Sequence, residues 1–148
     1  MSHSLNKIWL HQIYSTKDRY PLLRPDIEHK VYQHLKEQYR ECGCYVKTIN
    51  GMPDHIHCLI MQNPKMSVIE TIKQVKGNTA HWINHENLIP EKFAWQTGYA
   101  AFSVSESQID KVHNYILKQK EHHKKRTFKE EYDEFISAYG LLDEIQNG

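Results

Sequence analysis

No stretch of this 148-residue chain approaches the roughly 18 consecutive apolar residues that a membrane-spanning helix needs. Met1 to Tyr14 also lacks the charged-then-apolar order and small-residue cleavage site of a secretory signal. No contact with a membrane is expected, and residence in the cytoplasm is. Cysteine is scarce: Cys42, Cys44 and Cys58 are an odd number with no C-x-x-C pair, which excludes a zinc ribbon and a thioredoxin-type site. Cys58 reads as a buried strand residue and the other two as reduced thiols near a turn. A glycine-rich Walker loop is missing, so no nucleotide cofactor is expected. Repeats, low-complexity tracts and linkers are missing too, and the length fits one domain over residues 1–148.

The charges that are present are unevenly placed. Residues 1–128 hold 18 of the 19 Lys and Arg but only 12 of the 18 Asp and Glu, whereas residues 129–148 hold one Lys and six acids. A moderately basic body permits a phosphate-bearing partner, and the acidic end reads as a last helix or tail. Eleven histidines add metal-binding capacity, because imidazole is the commonest metal ligand.

Hydrophobic period and turn chemistry divide the chain into elements. Lys7 to Thr16 reads as a strand, and Pro25 to Glu41 as a helix with Ile27, Val31, Leu35 and Gln38/Tyr39 on one face, ended by Gly43. Tyr45 to Asn50 and His55 to Met61 are strands flanking the turn Gly51-Met52-Pro53-Asp54. Ser67 caps a helix to about Asn84, with Glu70 completing a capping box. Trp95 to Val104 is a fourth strand or two short ones. A third helix opens at Ser105 or Ser107 and runs to the His122-His123 region, with Ile109, Val112, Ile116 and Leu117 packing. Thr127 to Tyr139 is a final acidic helix. The order β-α-β-β-α-β followed by helices predicts an α+β, ferredoxin-like (RRM-like) fold: one antiparallel sheet, two helices on one face, the other face open to the C-terminal helix or a ligand.

Residues two apart in a strand share a face. His55 and His57 therefore project together, while Ile56, Cys58 and Ile60 point into the apolar layer. Two such imidazoles either bind one divalent metal or decorate the polar face of a strand, and the H-x-H spacing leaves both open. On the third helix, Tyr115 and Gln119 stand four apart and share a face. They can bring a phenol and an amide oxygen to one point, or cap the core and meet solvent.

Taken together, an ordered set of short segments carries a resemblance. It runs from His11 and Lys17–Arg19 through Pro53-Asp54-His55-Ile56-His57 and Pro64-Lys65-x-Ser67. It continues through Lys76-Gly77, Trp95-Gln96-x-Gly98-Tyr99 and Phe102-Ser103-Val104-Ser105, and ends with Tyr115-Ile116-x-x-Gln119 and Glu121-His122-His123. In these the chain resembles the single-tyrosine HUH transposases of small bacterial insertion sequences (the IS-two-hundred type), including the REP-associated tyrosine transposases. Asp18 departs from the pattern where an aromatic is expected, and the end after Tyr139 is short and acidic.

The resemblance implies that Tyr115 is the nucleophile and that His55, His57 and Gln119 hold a divalent metal, Mg²⁺ or Mn²⁺. It implies nicking and rejoining of single-stranded DNA at hairpin-containing element ends through a 5′-phosphotyrosine. It also implies a homodimer, often with the tyrosine helix of one subunit serving the histidines of the other, in the nucleoid of a bacterium or archaeon. The chemistry suits these residues. A free phenol with a pKa near ~10 needs activation at neutral pH, and imidazole and amide ligands leave a divalent ion most of its charge for a phosphate oxygen. Lys17, Arg19, Lys76, Lys118 and Lys120 are candidate phosphate contacts, and Trp95 and Tyr99 candidate stacking residues. His11 and His123 are candidates for the layer behind the ligands.

His81 and His85 are four apart, but Trp82 stands where the zinc proteases of the H-E-x-x-H type carry glutamate, so they are not expected to hold metal. Three other readings compete. An RNA-stacking module would not need His55, His57 and Tyr115 together. A histidine phosphohydrolase would want histidine where Leu59 stands. A domesticated, non-mobile hairpin-binding protein would keep the fold without transposition.

Overall fold

The computed structural model describes residues 4–122, 124 and 126–138. Strands β1 (Trp9–Ser15), β2 (Tyr45–Met52), β3 (His55–Met61) and β4 (Ala100–Val104) form one antiparallel sheet in the order β2-β3-β1-β4. Helices α1 (Pro25–Glu41) and α2 (Val68–His85) link β1 to β2 and β3 to β4, which gives the β-α-β-β-α-β order expected. Three helices follow: α3 (Ile109–Leu117), α4 (Gln119–His122) and α5 (Phe128–Ala138).

Two apolar layers sandwich the sheet. On one face Leu10, Tyr14, Ile56, Cys58 and Ile60 pack against Ile27, Val31, Leu35 and Tyr39 of α1 and Val75 and Ile83 of α2. On the other, Leu59 and Val104 pack against Ile109 and Ile116 of α3. This second face, expected to receive the C-terminal helix or a ligand, is covered by the third helix. The period-two alternation of β3 is thus used on both sides: its even residues build the larger core and its odd residues face α3.

Local chemistry places the ends of these elements. Pro25 opens α1 with its fixed φ, and Gly43, at φ 76°, turns the chain out of it. Ser67 caps α2 through its Oγ, which accepts from the Glu70 N–H at 3.1 Å. β2 runs two residues further than the sequence predicts, to Met52, because Gly51 allows close approach to β3: a Cβ at Gly51 would stand 2.2 Å from the His55 carbonyl oxygen. Between Val46 and Thr48 the register of β2 against β3 shifts by a bulge. The extra residue reverses the facing of the rest of the strand, so Thr48 and Asn50 turn toward α3. There Thr48 bonds His113, and Asn50 Nδ2 donates to the Leu117 carbonyl at 3.1 Å.

Three expectations change. Trp95 is not part of β4, and its stretch meets the sheet through a bridge to Thr16, a hydrogen bond from the Gln96 N–H to the Ser15 carbonyl at 2.9 Å, and the packing of Trp95 on Tyr14. The single helix expected to His123 stops at Leu117 and resumes at Gln119. The Lys118 N–H is shared by the carbonyls of Asn114 and Tyr115, a tightened last turn that closes α3. Leu117 consequently does not pack: it is 53% exposed, while Ile116 is fully buried.

Candidate active site

On the α3 side of the sheet, β3 presents His55 and His57, both fully buried. Each imidazole is oriented from behind. His55 Nδ1 donates to Asp54 Oδ1 at 2.7 Å, and His57 Nδ1 pairs with His11 Nε2 at 2.9 Å. His11 comes from the neighbouring strand, one diagonal step from His57 in the β1–β3 register. Both Nε2 atoms are thereby turned to the same side. Carboxylate and imidazole partners of this kind fix the tautomer and ring orientation of metal-binding histidines.

The helices bring the other groups. Gln119, fully buried at the start of α4, holds its Oε1 3.3 Å from His55 Nε2. Despite the break at Lys118, Tyr115 and Gln119 still reach one place. Tyr115, at the end of α3, sits beside the histidines with ring centroids 6.0 Å from His57 and 6.5 Å from His11. All of these belong to one chain.

Glu131 of α5 lies at the centre. Its Oε1 accepts from His57 Nε2 at 2.9 Å and stands 3.4 Å from His55 Nε2. Its Oε2 accepts from Gln119 Nε2 at 3.0 Å and from the Tyr115 hydroxyl. Glu131 is not among the sequence candidates, because there it looks like one acid among six in a solvated tail. The signal that points to it is Phe128-x-x-Glu131-Tyr132, whose spacing puts an aromatic and an acid on one helix face. Phe128 stacks on the His55 ring at 4.2 Å and 5°, and the Arg19 guanidinium lies 5.8 Å over Phe128.

The electrostatics follow from burial and proximity. Burial pushes the Glu131 carboxyl up, but the hydrogen bonds from His55 and His57 outweigh it and hold the group well below the usual carboxylate range. Burial pulls the His55 imidazole down, yet Asp54 and Glu131 together leave it raised. His11 is lowered, first by burial and then by His57. Burial, with the hydrogen bond to Glu131, pushes the Tyr115 phenol up, against smaller opposing effects of Gln119 and Arg126. Arg126 Nη2 reaches the Tyr115 hydroxyl at 3.4 Å, so a cation stands where a phenolate would form.

The candidate DNA contacts scatter. Lys17, Arg19 and Lys118 are exposed. Lys76 is engaged inside the fold, donating to the carbonyls of Gln96 and Gly98 at 2.9 and 2.7 Å. Lys120 donates to Asn50 Oδ1 and the Gly51 carbonyl and pairs with Glu28 at 3.1 Å. Trp95 donates its indole N–H to the Lys76 carbonyl and packs on Tyr14 and Phe93. Tyr99 is partly exposed and, with Arg19, Phe128 and Tyr132, lines a cleft of about 350 Å³ beside the site. His123 and residues 139–148 of the acidic end lie outside the described residues. His81 and His85 lie together on α2 with ring centroids 6.0 Å apart, away from this site. Cys42, Cys44 and Cys58 are reduced and buried.

The chain belongs to the IS200-like transposase family, whose model matches residues 4–119. The ISDra2 transposase TnpA of Deinococcus radiodurans is 25% identical over 114 residues, 74% of this chain and 81% of that protein. A crystal structure of a candidate transposase from Deinococcus radiodurans R1 superposes with a TM-score of 0.65 at 22% identity, covering 80% of this chain and 95% of the other. A REP-associated tyrosine transposase bound to a REP hairpin superposes with a TM-score of 0.60 at 14% identity, covering 83% and 74%. Family membership makes the chain a transposase, an enzyme that cleaves and rejoins DNA. Among the described residues no helix is long and apolar enough to cross a membrane.

Proposed function

We propose that this transposase nicks and rejoins single-stranded DNA at the hairpin-containing ends of an insertion sequence, with Tyr115 as nucleophile and a divalent ion, Mg²⁺ or Mn²⁺, held by His55, His57 and Gln119. One observation carries the reading: the Tyr115 hydroxyl, the Gln119 amide and both imidazole Nε2 atoms converge on a single buried carboxylate. Groups that meet at one carboxylate can meet at one phosphate. The donor set fits a divalent ion, since buried imidazoles backed by Asp54 and His11 form a built site rather than a polar strand face. An ion bound there supplies charge neutralisation at a non-bridging phosphate oxygen.

The chain's own residues account for the rest. Tyr115 Oη forms the bond to phosphorus and the bond from phosphorus to the 3′-oxygen breaks. The phenol proton passes to solvent and the departing 3′-oxygen takes a proton from solvent, leaving a 5′-phosphotyrosine and a 3′-hydroxyl. Arg126 stabilises the phenolate as it develops. A second 3′-hydroxyl reverses the step and rejoins the strand, so the ester conserves the bond energy and no nucleotide is consumed. Hairpin recognition is supported by the relative that carries a REP hairpin. The reading includes a homodimer, one copy for each DNA end, acting at the nucleoid in the cytoplasm, and a single functional domain over residues 1–148.

The test is incubation with end-labelled hairpin-bearing single-stranded DNA and Mn²⁺, followed by a denaturing gel. A covalent adduct that disappears with Tyr115→Phe and with EDTA is expected. Tight hairpin binding with no adduct at any divalent ion would replace this reading with that of a non-mobile binding protein.

A further inference from the structure

We propose that Glu131 is a fourth protein ligand of the active-site metal and at the same time the residue that holds the Tyr115 hydroxyl against it. The inference rests on the metal-dependent function proposed for His55, His57 and Gln119 and adds to it a residue from α5. The family match ends at Gln119, so α5 stands outside it.

The spacing of the donor atoms argues for a ligand. Adjacent ligands on an octahedral ion with bonds of about 2.1 Å stand about 3 Å apart. Glu131 Oε1 lies 2.9 Å from His57 Nε2 and 3.4 Å from His55 Nε2, and Gln119 Oε1 lies 3.3 Å from the same His55 nitrogen. These are the edges of one coordination shell, with protons now standing between atoms that an ion would join. Glu131 is 1% exposed, so its carboxylate is committed to this place and not sampling it from solvent.

Charge and hardness agree. Two imidazoles and an amide are a neutral set of modest affinity for Mg²⁺ or Mn²⁺, ions that favour oxygen and carboxylate ligands. One carboxylate oxygen supplies that preference and leaves a bound ion with net positive charge for a phosphate. The other oxygen keeps the Tyr115 hydroxyl and the Gln119 amide in place. Phe128, stacked on His55 one helical turn earlier, fixes the approach of α5. A carboxylate that merely filled the DNA site would have no need to bond the nucleophile and both imidazoles at once.

The experiment is calorimetric titration of the full chain with Mn²⁺, together with the visible spectrum of the Co²⁺-loaded protein, for wild type, Glu131→Gln, Glu131→Ala and His55→Ala. Thermal melts in EDTA check folding, and Glu131→Gln, which keeps the shape, serves if Glu131→Ala does not fold. Mn²⁺ affinity is expected to fall at least about tenfold in the Glu131 variants, the scale at which even residues behind the ligands matter, with a changed Co²⁺ spectrum. Unchanged or tighter Mn²⁺ binding in folded Glu131 variants, with the wild-type spectrum and loss only in His55→Ala, would overturn the inference and leave a metal site of His55, His57 and Gln119 standing. Wild-type protein that binds neither ion would overturn both.

Discussion

At the scale of single residues, the site depends on groups that stand behind its histidines. His11 acts through His57, and its loss should weaken Mn²⁺ binding by about 10–100-fold while the chain stays folded. Titration calorimetry of His11→Ala checks this, and wild-type affinity would contradict it. Gly51→Ala should cost about 3 kcal/mol or more, because its Cβ would collide with the carbonyl of His55. Urea denaturation measures that loss, and a variant as stable as wild type would show that the strands part freely there. Legibility in the sequence differs by residue. His55 and His57 can be paired from period two alone, and Tyr115 and Gln119 from a four-residue spacing. His11 is legible as a candidate for the layer behind the ligands, but its contact with His57 is not, since that depends on the β1–β3 register. Glu131 is not legible: an acid in an acidic stretch looks solvated until the sheet face it covers is known.

At the scale of elements, α5 is tied to the body by an ion pair between groups that titrate in opposite directions. His55 is raised in the folded chain, so its share of stability is full below its ordinary value of 6.5 and is lost as pH rises through the folded pKa. Glu131 is held below its ordinary 4.5, so its share is present above 4.5 and is lost as pH falls through the folded pKa. Docking of α5 in metal-free protein is therefore expected to be strongest between pH 4.5 and 6.5. Melting temperature against pH in EDTA should show this maximum, and Glu131→Gln should flatten it. An identical profile for both proteins would contradict the assignment. Helices α1 and α2 are readable to within a residue or two from Pro25, Gly43, Ser67 and their apolar stripes. The break at Lys118 is not, because no glycine or proline marks it and it arises from a shared hydrogen bond in the last turn.

At the scale of the whole molecule, a basic body carries an acidic C-terminal stretch, and helix α5 within it reaches into the site. Binding to hairpin DNA should weaken as salt rises, since each phosphate neutralised contributes a slope of about −0.7 on single strands. The exposed Lys17, Arg19 and Lys118 together would account for about −2, and their triple alanine variant should lose that much in a filter-binding salt series. An unchanged slope would move the DNA path elsewhere. The β-α-β-β-α-β order and a second face left for a late helix can be read from the sequence, but the part that α3 takes in covering it cannot, because that depends on where two late helices pack. The central claim is that Tyr115 becomes covalently joined to DNA at the His55–His57 site, and mass spectrometry of the tryptic digest tests it most directly. The account predicts a nucleotide-bearing peptide Val112–Lys118, modified at Tyr115 and present only with divalent metal. The same DNA attached to any other residue, or formed equally well by Tyr115→Phe, would contradict it.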